Sequence, residues 1–566
     1  MLSWPRHVHP GGPLAHAVRT ASVAPVDAAF LVASLVAVVA VRLQLLWAAP
    51  FPINDGALFL VFVQATAHTF PGLPATVDYN GAAIPFAYPP LAFWLAAGAV
   101  RLGLSPLAVV QVAPVFMNIA YVLLFALLLL RTGHARLFTA LAVLIAGMTF
   151  RSYEWLVMGG GLSRGLGSVL LLLTLLALLP PGLWRDGRWS WRRLVAGGAC
   201  LGGTVLSHLE WGLLCTVCAL LCLAMARRRL GAWLAGAFVL GAVSLLVVLP
   251  WLVAVLHEHG LAPFAAASRT GSWRPSVLAE GARMLLRNSA QLLPFVVVGA
   301  VLAARSRDVF WLVFAVLPAL LIPRSGETPL VLGIGVLAAT GLIGVVAAAA
   351  RWRSRLGWPT AIALVLTGVG LTAARVGDTF RRDELFAPLS PEVRSAMAWV
   401  AAQHPGRRFT LVREAPWYYN ASAEWFPVLA HAVNNSTAQG REWLPDDVFG
   451  QTYAAIDDLN ASTTCEALLE SVRAFGPADF VWVEGVDLAA RAAALEALYA
   501  RRSVAERAAA AWRRMRGEPA PDPRRGKAGA LRGPGTAGGC FDAAGWREVL
   551  ANPRVRIFQP PGAAAQ

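Results

Sequence analysis

The residue types best suited to chemistry gather in four short stretches that interrupt apolar runs. The first is Pro50-Phe51-Pro52-Ile53-Asn54-Asp55-Gly56, a few residues after the first apolar run. A carboxylate there is partly desolvated, and a raised pKa suits Asp55 to act as a general base. Asn-Asp-Gly is also ordinary turn composition, so a plain turn accounts for the same residues. The second stretch is Arg151-Ser152-Tyr153-Glu154-Trp155, leading into Gly159-Gly160-Gly161-Leu162-Ser163-Arg164. Three glycines let the backbone approach a phosphate, and Arg164 at a helix start adds charge to the N-terminal dipole. A flexible surface loop whose arginines meet lipid headgroups is the alternative. The third is Ser207-His208-Leu209-Glu210-Trp211 inside the apolar stretch from Leu194 to Ala226. Together with Asp55, His208 and Glu210 form a candidate site for a divalent cation, Mg or Mn. An interfacial turn with a tryptophan anchor competes with that reading. The fourth runs from His257 to Arg287 and carries Arg269, Arg274, Arg283 and Arg287. Such charge suits a departing phosphate, and equally a loop on anionic lipid.

The elements that position these residues follow from composition. The chain has 566 residues, 57% of them hydrophobic and 14% charged, with a mean hydropathy of +0.58. A soluble globular protein carries about 25% charge, so a membrane protein is expected. The net charge of +16 is almost all arginine, with Lys527 the one lysine. Nucleic acid is not implied, because the arginines before residue 376 punctuate apolar runs and read as topology markers. Apolar runs fill about 26–375, and 22 of the 32 acids lie from Val376 onward. The expected organisation is a cytoplasmic segment 1–25, a transmembrane domain 26–375 and a soluble extracytoplasmic domain 376–566. No signal-peptide cleavage pattern precedes the first run, which reads as a retained anchor.

Basic clusters at 131–136, 185–193, 227–229, 305–307 and 351–355 mark the cytoplasmic side. Spans are then expected near 26–48, 107–130, 136–150, 165–181, 194–208, 211–226, 231–256, 290–304, 309–323, 329–350 and 358–375. The fold class is a polytopic α-helical membrane protein of about eleven transmembrane helices with a C-terminal extracytoplasmic α/β domain. Pro89–Leu102 is short, opens with two prolines and would invert every later cluster if it crossed. It reads as an interfacial helix, leaving 49–106 as one external loop. Seven of the nine acids between residues 28 and 375 then fall outside. Span centres are nearly free of charge, and Arg42, the nearest exception, is expected to snorkel outward. Transporters usually place ionisable groups at the midplane, so this distribution favours a site at the outer boundary.

The first external loop goes on to Asp78-Tyr79-Asn80 and Tyr88-Pro89-Pro90-Leu91-Ala92-Phe93-Trp94. A first span, an Asp just beyond it and a Pro-Pro-Leu-x-x-Trp helix resemble the GT-C superfamily of membrane glycosyltransferases, of the protein mannosyltransferase and aminoarabinose transferase type. The resemblance implies transfer of a sugar from a polyprenyl-phosphate carrier to a glycan, lipid or protein acceptor, at a multi-pass site in the plasma membrane. It assigns the base or metal-associated carboxylate to Asp55. Tyr88 stands where many relatives place a basic residue or histidine, and no second acid sits beside Asp55. Asp78, Tyr88, Arg151, Glu154, Arg164 and the Arg269–Arg287 group are the expected substrate and phosphate contacts. A flippase for lipid-linked substrates and a non-catalytic envelope-assembly protein are the competing classes.

Cys215, Cys218 and Cys222, although the first two are spaced as C-x-x-C, read as small apolar packing residues. Cys465 and Cys540 are the only cysteines of the C-terminal domain and are expected to pair in an oxidising compartment. Strands are expected at 408–412, 480–484 and 555–558, helices at 391–403 and 465–475, and a mobile insertion at 508–539. Trp417, Tyr418, Tyr419, Trp425, Phe426 and Trp443 are dense enough to stack on sugars but read first as core. Asn420, Asn434, Asn435 and Asn460 lie in Asn-x-Ser/Thr sequons.

Overall fold

The computed structural model describes residues 24–48, 51–52, 54–185, 188–226, 229–270, 292–306, 308–322, 325–352, 370, 389–413, 415, 417–493 and 536–562. Two compact units result. The first comprises 1–77 with 85–388, the second 78–84 with 389–566.

In the first unit, helices form where lipid would leave no other partner for the backbone. They are α1 (Ala24–Ala48), α2 (Ala57–Thr69), α3 (Leu91–Arg101), α4 (Pro106–Arg131), α5 (Arg136–Met148), α6 (Glu154–Val157) and α7 (Gly161–Leu178). There follow α8 (Trp191–Val205), α9 (Leu209–Ala226), α10 (Leu230–His259), α11 (Ala262–Thr270), α12 (Leu293–Ser306), α13 (Val309–Phe314), α14 (Leu317–Leu321) and α15 (Glu327–Trp352). Pro106 opens α4 directly after Ser105, where its missing N–H costs nothing. Among the described residues, six helices are long and apolar enough to cross a membrane, and a seventh crossing results if α5 and residues 150–157, bent by 91°, count as one. The protein is thus a multi-pass membrane protein. Ten of the eleven expected spans coincide with helices, but α8, α12 and α13–α14 are too short to meet that length; the eleventh, 358–375, lies outside the described residues apart from Gly370. Helix α1 packs on α5, α4 on α7, α7 on α8, α8 on α10, and α15 on both α5 and α12. Their shared core includes Val38, Phe125, Leu171, Leu175, Trp211, Leu214, Phe314 and Val331. Cys215, Cys218 and Cys222 are buried in it as unpaired thiols, in keeping with a packing role.

The loop expected between 49 and 106 contains more order than the sequence suggested. Helix α2 lies within it, a hairpin of β1 (Thr76–Tyr79) and β2 (Ala82–Pro85) follows, and a second antiparallel pair, β3 (Trp184–Arg185) with β4 (Arg188–Trp189), precedes α8. Asn80 and Gly81, both left-handed at φ 54° and 73°, turn the hairpin. Its tip, 78–84, belongs to the second unit. There Asn80 imitates a strand: its Nδ2 donates to Asn434 O at 2.8 Å, and Asn434 N donates to its Oδ1 at 2.7 Å.

The second unit contains α16 (Pro391–Gln403), β5 (Arg408–Arg413), α17 (Ala421–Leu429), β6 (Val433–Asn434), α18 (Val448–Ala461), α19 (Cys465–Ala474), β7 (Phe480–Glu484), α20 (Ala537–Ala543), β8 (Arg547–Ala551) and β9 (Val555–Gln559). Ser390 caps α16 by accepting from Val393 N, with Pro391 at the first helical position. The strands form one five-stranded sheet in the order β6-β5-β7-β9-β8. The pairs β5–β6 and β5–β7 are parallel; β7–β9 and β8–β9 are antiparallel. Phe409–Val412 and Phe480–Val483 are buried on both faces, which is why they read as continuous apolar runs rather than alternating ones. A disulfide joins Cys465 at the start of α19 to Cys540 in α20 beside Val472, Phe541 and Phe558. Most of the insertion expected at 508–539 lies outside the described residues. Its last four residues are ordered, with Thr536 paired to Asp487 and Ala537 opening α20. The aromatic stretch divides. Trp425, Phe426 and Trp443 are core, whereas Tyr418 is exposed and Trp417 and Tyr419 are half-buried. Of the sequon asparagines, Asn420, Asn434 and Asn435 are buried, and Asn460 Nδ2 donates to Ala415 O.

Candidate active site at the start of helix α7

Asp55 and the glycines of the second stretch meet. Gly160 N, immediately before α7, donates to Asp55 Oδ1 at 2.9 Å. Asp55 thus caps the positive end of the helix from a segment 105 residues away in the chain. The approach depends on glycine: a Cβ on Gly160 would lie 2.2 Å from Asp55 Oδ2, and one on Gly159 would lie 2.4 Å from Asp55 O. The glycines expected to admit a phosphate therefore admit the Asp55 carboxylate and its backbone instead.

Successive turns of α7 collect the other groups. Ser163 Oγ lies 3.0 Å from Tyr88 Oη. At Gly167 the helix faces His208 and Trp211, whose Cβ atoms would each be 3.5 Å from an added Cβ. Positions 160, 163 and 167 share one helix face, so a single surface gathers Asp55, Tyr88 and His208. Tyr88 is fixed by rings on α2 and α3, 5.6 Å from Phe59 and 5.5 Å from Phe93, centroid to centroid. Pro89 and Pro90 have no N–H, and the first amide after them, Leu91 N, bonds Leu206 O at 2.9 Å. That bond ties the start of α3 to the turn carrying His208, whose ring is 6.5 Å from that of Tyr88.

Electrostatics at Asp55 are set by opposing effects. Burial pushes its pKa above the usual carboxylate value, while the Arg164 charge and the Gly160 N–H pull the other way without cancelling it. Arg164 lies over the Trp155 ring at 5.6 Å. Its buried Nη1 has no hydrogen-bond partner among the described residues.

The remaining expected site residues fall elsewhere. Arg151 pairs with Glu154 and, at 3.0 Å from its Nε, with Glu327. Two carboxylates face that guanidinium, so Arg151 and Glu154, expected as phosphate contacts, sit in an internal ion-pair cluster. Glu210 accepts from Ser325 Oγ. Among the described residues no three His, Cys, Asp or Glu side chains converge as metal ligands. With Asp55 bonded to Gly160 and Glu210 to Ser325, the residues present do not form the divalent-cation site expected from the sequence. Asp78 is exposed in the second unit. Arg269 is exposed near the end of α11, and Arg274, Arg283 and Arg287 lie outside the described residues. Sequence reasoning missed Ser163 and Gly160 as partners. Their only signal was proximity to Arg164 in a glycine-rich helix start.

The sequence matches no protein-family model and no curated protein. Solved structures do match by fold. The oligosaccharyltransferase AglB of Archaeoglobus fulgidus, in complex with an inhibitory peptide and a dolichol-phosphate, aligns over 80% of this chain and 69% of its own, at 14% identity and a TM-score of 0.53. ArnT of Cupriavidus metallidurans, bound to undecaprenyl phosphate, aligns over 82% and 94%, at 16% identity and a TM-score of 0.44. The mycobacterial arabinofuranosyltransferase AftD aligns over 93% and 41%, at 15% identity and a TM-score of 0.44. These neighbours are GT-C glycosyltransferases, and the similarity to AglB shows a shared fold.

Proposed function

We propose that the chain is an integral membrane glycosyltransferase that moves a sugar from a polyprenyl-phosphate carrier to an acceptor at the outer face of the cell membrane. The acceptor is a glycan, a lipid or a protein. The observation that carries this reading is the Asp55 carboxylate held against Gly160 N with Arg164 as its neighbouring cation. The fold shared with AglB, itself in complex with a dolichol-phosphate, supports the carrier. In one displacement, an acceptor oxygen attacks the anomeric carbon while the bond from that carbon to the phosphate oxygen breaks. Asp55 takes the acceptor proton, and the phosphate leaves on its carrier. A buried carboxylate with a raised pKa suits the proton transfer, and Arg164 Nη1, without a hydrogen-bond partner among the described residues, suits the charge that develops on the phosphate. Tyr88 and Ser163 supply hydroxyls beside the acceptor, with His208 next to them. The second unit is read as extracytoplasmic, which the Cys465–Cys540 disulfide supports.

The test uses membranes from cells expressing the chain and a panel of radiolabelled polyprenyl-phosphate mannose, glucose and arabinose. Label is expected to move to an acceptor in the wild type, and at a rate roughly 100-fold lower in Asp55→Asn. Undiminished transfer by Asp55→Asn refutes the mechanism. Carrier movement across the bilayer without a new glycosidic bond would indicate a flippase. A reporter fused after Arg375 that proved cytoplasmic would remove the external site.

A further inference from the structure

Arg42, expected to snorkel out of the first span, does the opposite. It is completely buried. Its Nε donates to Asn118 Oδ1 at 3.0 Å, its Nη2 to Ser152 Oγ at 2.9 Å and its Nη1 to Val38 O at 3.2 Å. Its guanidinium lies 4.6 Å from the centroid of the Tyr153 ring. No carboxylate pairs with it among the described residues. A cation buried in a membrane domain without a counter-ion is costly, and such residues are retained where they do something specific.

What Arg42 holds is the break between α5 and α6. Ser152 is gripped twice, at Oγ by Arg42 and at its carbonyl by Asn118 Nδ2 at 3.0 Å. The same short segment is gripped from α15, where Thr328 Oγ1 donates to Arg151 O at 3.0 Å and Glu327 pairs with Arg151. Eight residues beyond Ser152 the segment delivers Gly160 N to Asp55, and Met158 Sδ accepts from Asn54 Nδ2 at 3.5 Å on the way. The sharp turn from α5 into residues 150–157 is therefore held by Arg42, Asn118 and α15, in addition to the bond from Ser152 Oγ to Gly147 O.

We propose that Arg42 is a positioning residue: through Ser152 and Tyr153 it fixes the 149–160 segment so that the Gly160 N–H meets the Asp55 carboxylate. The proposal rests on the transferase reading for its kinetic consequence, but not for its structural one. Arg42→Lys keeps the charge and loses the fork that reaches both Asn118 and Ser152. Ser152→Ala removes the acceptor of Arg42 Nη2 together with the Ser152 Oγ bond to Gly147 O, and leaves Arg42 in place.

The experiment measures both variants in the purified full-length chain in lipid nanodiscs. Hydrogen–deuterium exchange of peptides covering 149–161 is expected to accelerate at least tenfold in each variant, with α9 and α10 unchanged. With the labelled donor that the wild type uses, kcat is expected to fall about tenfold and KM to stay within twofold. A purely structural role would lower the melting midpoint and accelerate exchange throughout the unit. If Arg42→Lys fails to fold, Ser152→Ala and Asn118→Leu carry the same two readouts. Unchanged protection at 149–161 in a folded variant overturns the proposal. Faster exchange there, with no transfer by the wild type from any donor, overturns the transferase reading and leaves the positioning intact.

Discussion

Gly160→Ala is the sharpest test of the site, because one methyl group separates the proposed arrangement from a disrupted one. The Gly160 backbone, at φ −66° and ψ −10°, suits alanine, so backbone strain does not compete as a cause. The added Cβ would lie 2.2 Å from Asp55 Oδ2, 2.7 Å from its Cγ and 2.9 Å from its Oδ1, against about 3.4 Å for ordinary contact. The carboxylate must shift by about an ångström. Moving out breaks the bond from Gly160 N, a hydrogen bond to a charged group that contributes roughly 1.5–3 kcal/mol. Misplacement of a reacting group by about 1 Å costs on the order of 100-fold in rate, or about 2.7 kcal/mol of barrier. The assay is the initial rate of label transfer at saturating donor. Gly98→Ala and Gly241→Ala serve as controls, since nothing lies within 4 Å of a Cβ at either position. The expected result is a roughly 100-fold loss in Gly160→Ala alone, with a melting midpoint within a few degrees of wild type. Retention of more than half the wild-type rate would show that the Asp55–Gly160 contact is not part of the chemistry.

The acid limb of the pH–rate profile should lie above the ordinary Asp value of about 3.9, because burial raises the Asp55 pKa and the base must be ionised to act. Removing the Arg164 charge in Arg164→Met should move that limb to higher pH, and a limb that stays or moves down contradicts the pairing. The same shift has a stability sign: the folded state holds this proton more tightly than the unfolded chain, so Asp55's contribution to stability falls as pH rises from the unfolded value through the folded one. In the second unit, Asn80→Ala removes both bonds to the Asn434 backbone and should destabilise it by roughly 1–3 kcal/mol. Thermal melting and protease cutting within 78–84 read that loss, and an unchanged melt with an uncut hairpin would rule it out.

The sequence by itself determined the membrane class and the described helical runs before residue 376, and it singled out Asp55 as the candidate carboxylate. Lipid enforces the first two, since a spanning segment must be apolar and must satisfy its own backbone, and that constraint is written locally. The strand Phe480–Glu484 and the helix Pro391–Gln403 were legible for a related reason: an apolar run of strand length and a Ser-Pro helix start are local signals. The two-residue strand β6 is too short for any periodicity to show. Asp55 stood out because an acid beside lipid is expensive. Tertiary structure alone decided what surrounds it. Nothing within ten residues of Asp55 foretells that Gly160 will cap it, that Ser163 will hold Tyr88, or that Arg151 will be taken up by Glu327. Arg42 is the clearest case. Its position in the first span argued for snorkelling, and contacts 76 and 110 residues away supplied two of the three acceptors that let it turn inward. A buried charge goes where its partners are, and partners distant in the chain become neighbours only when the helices pack.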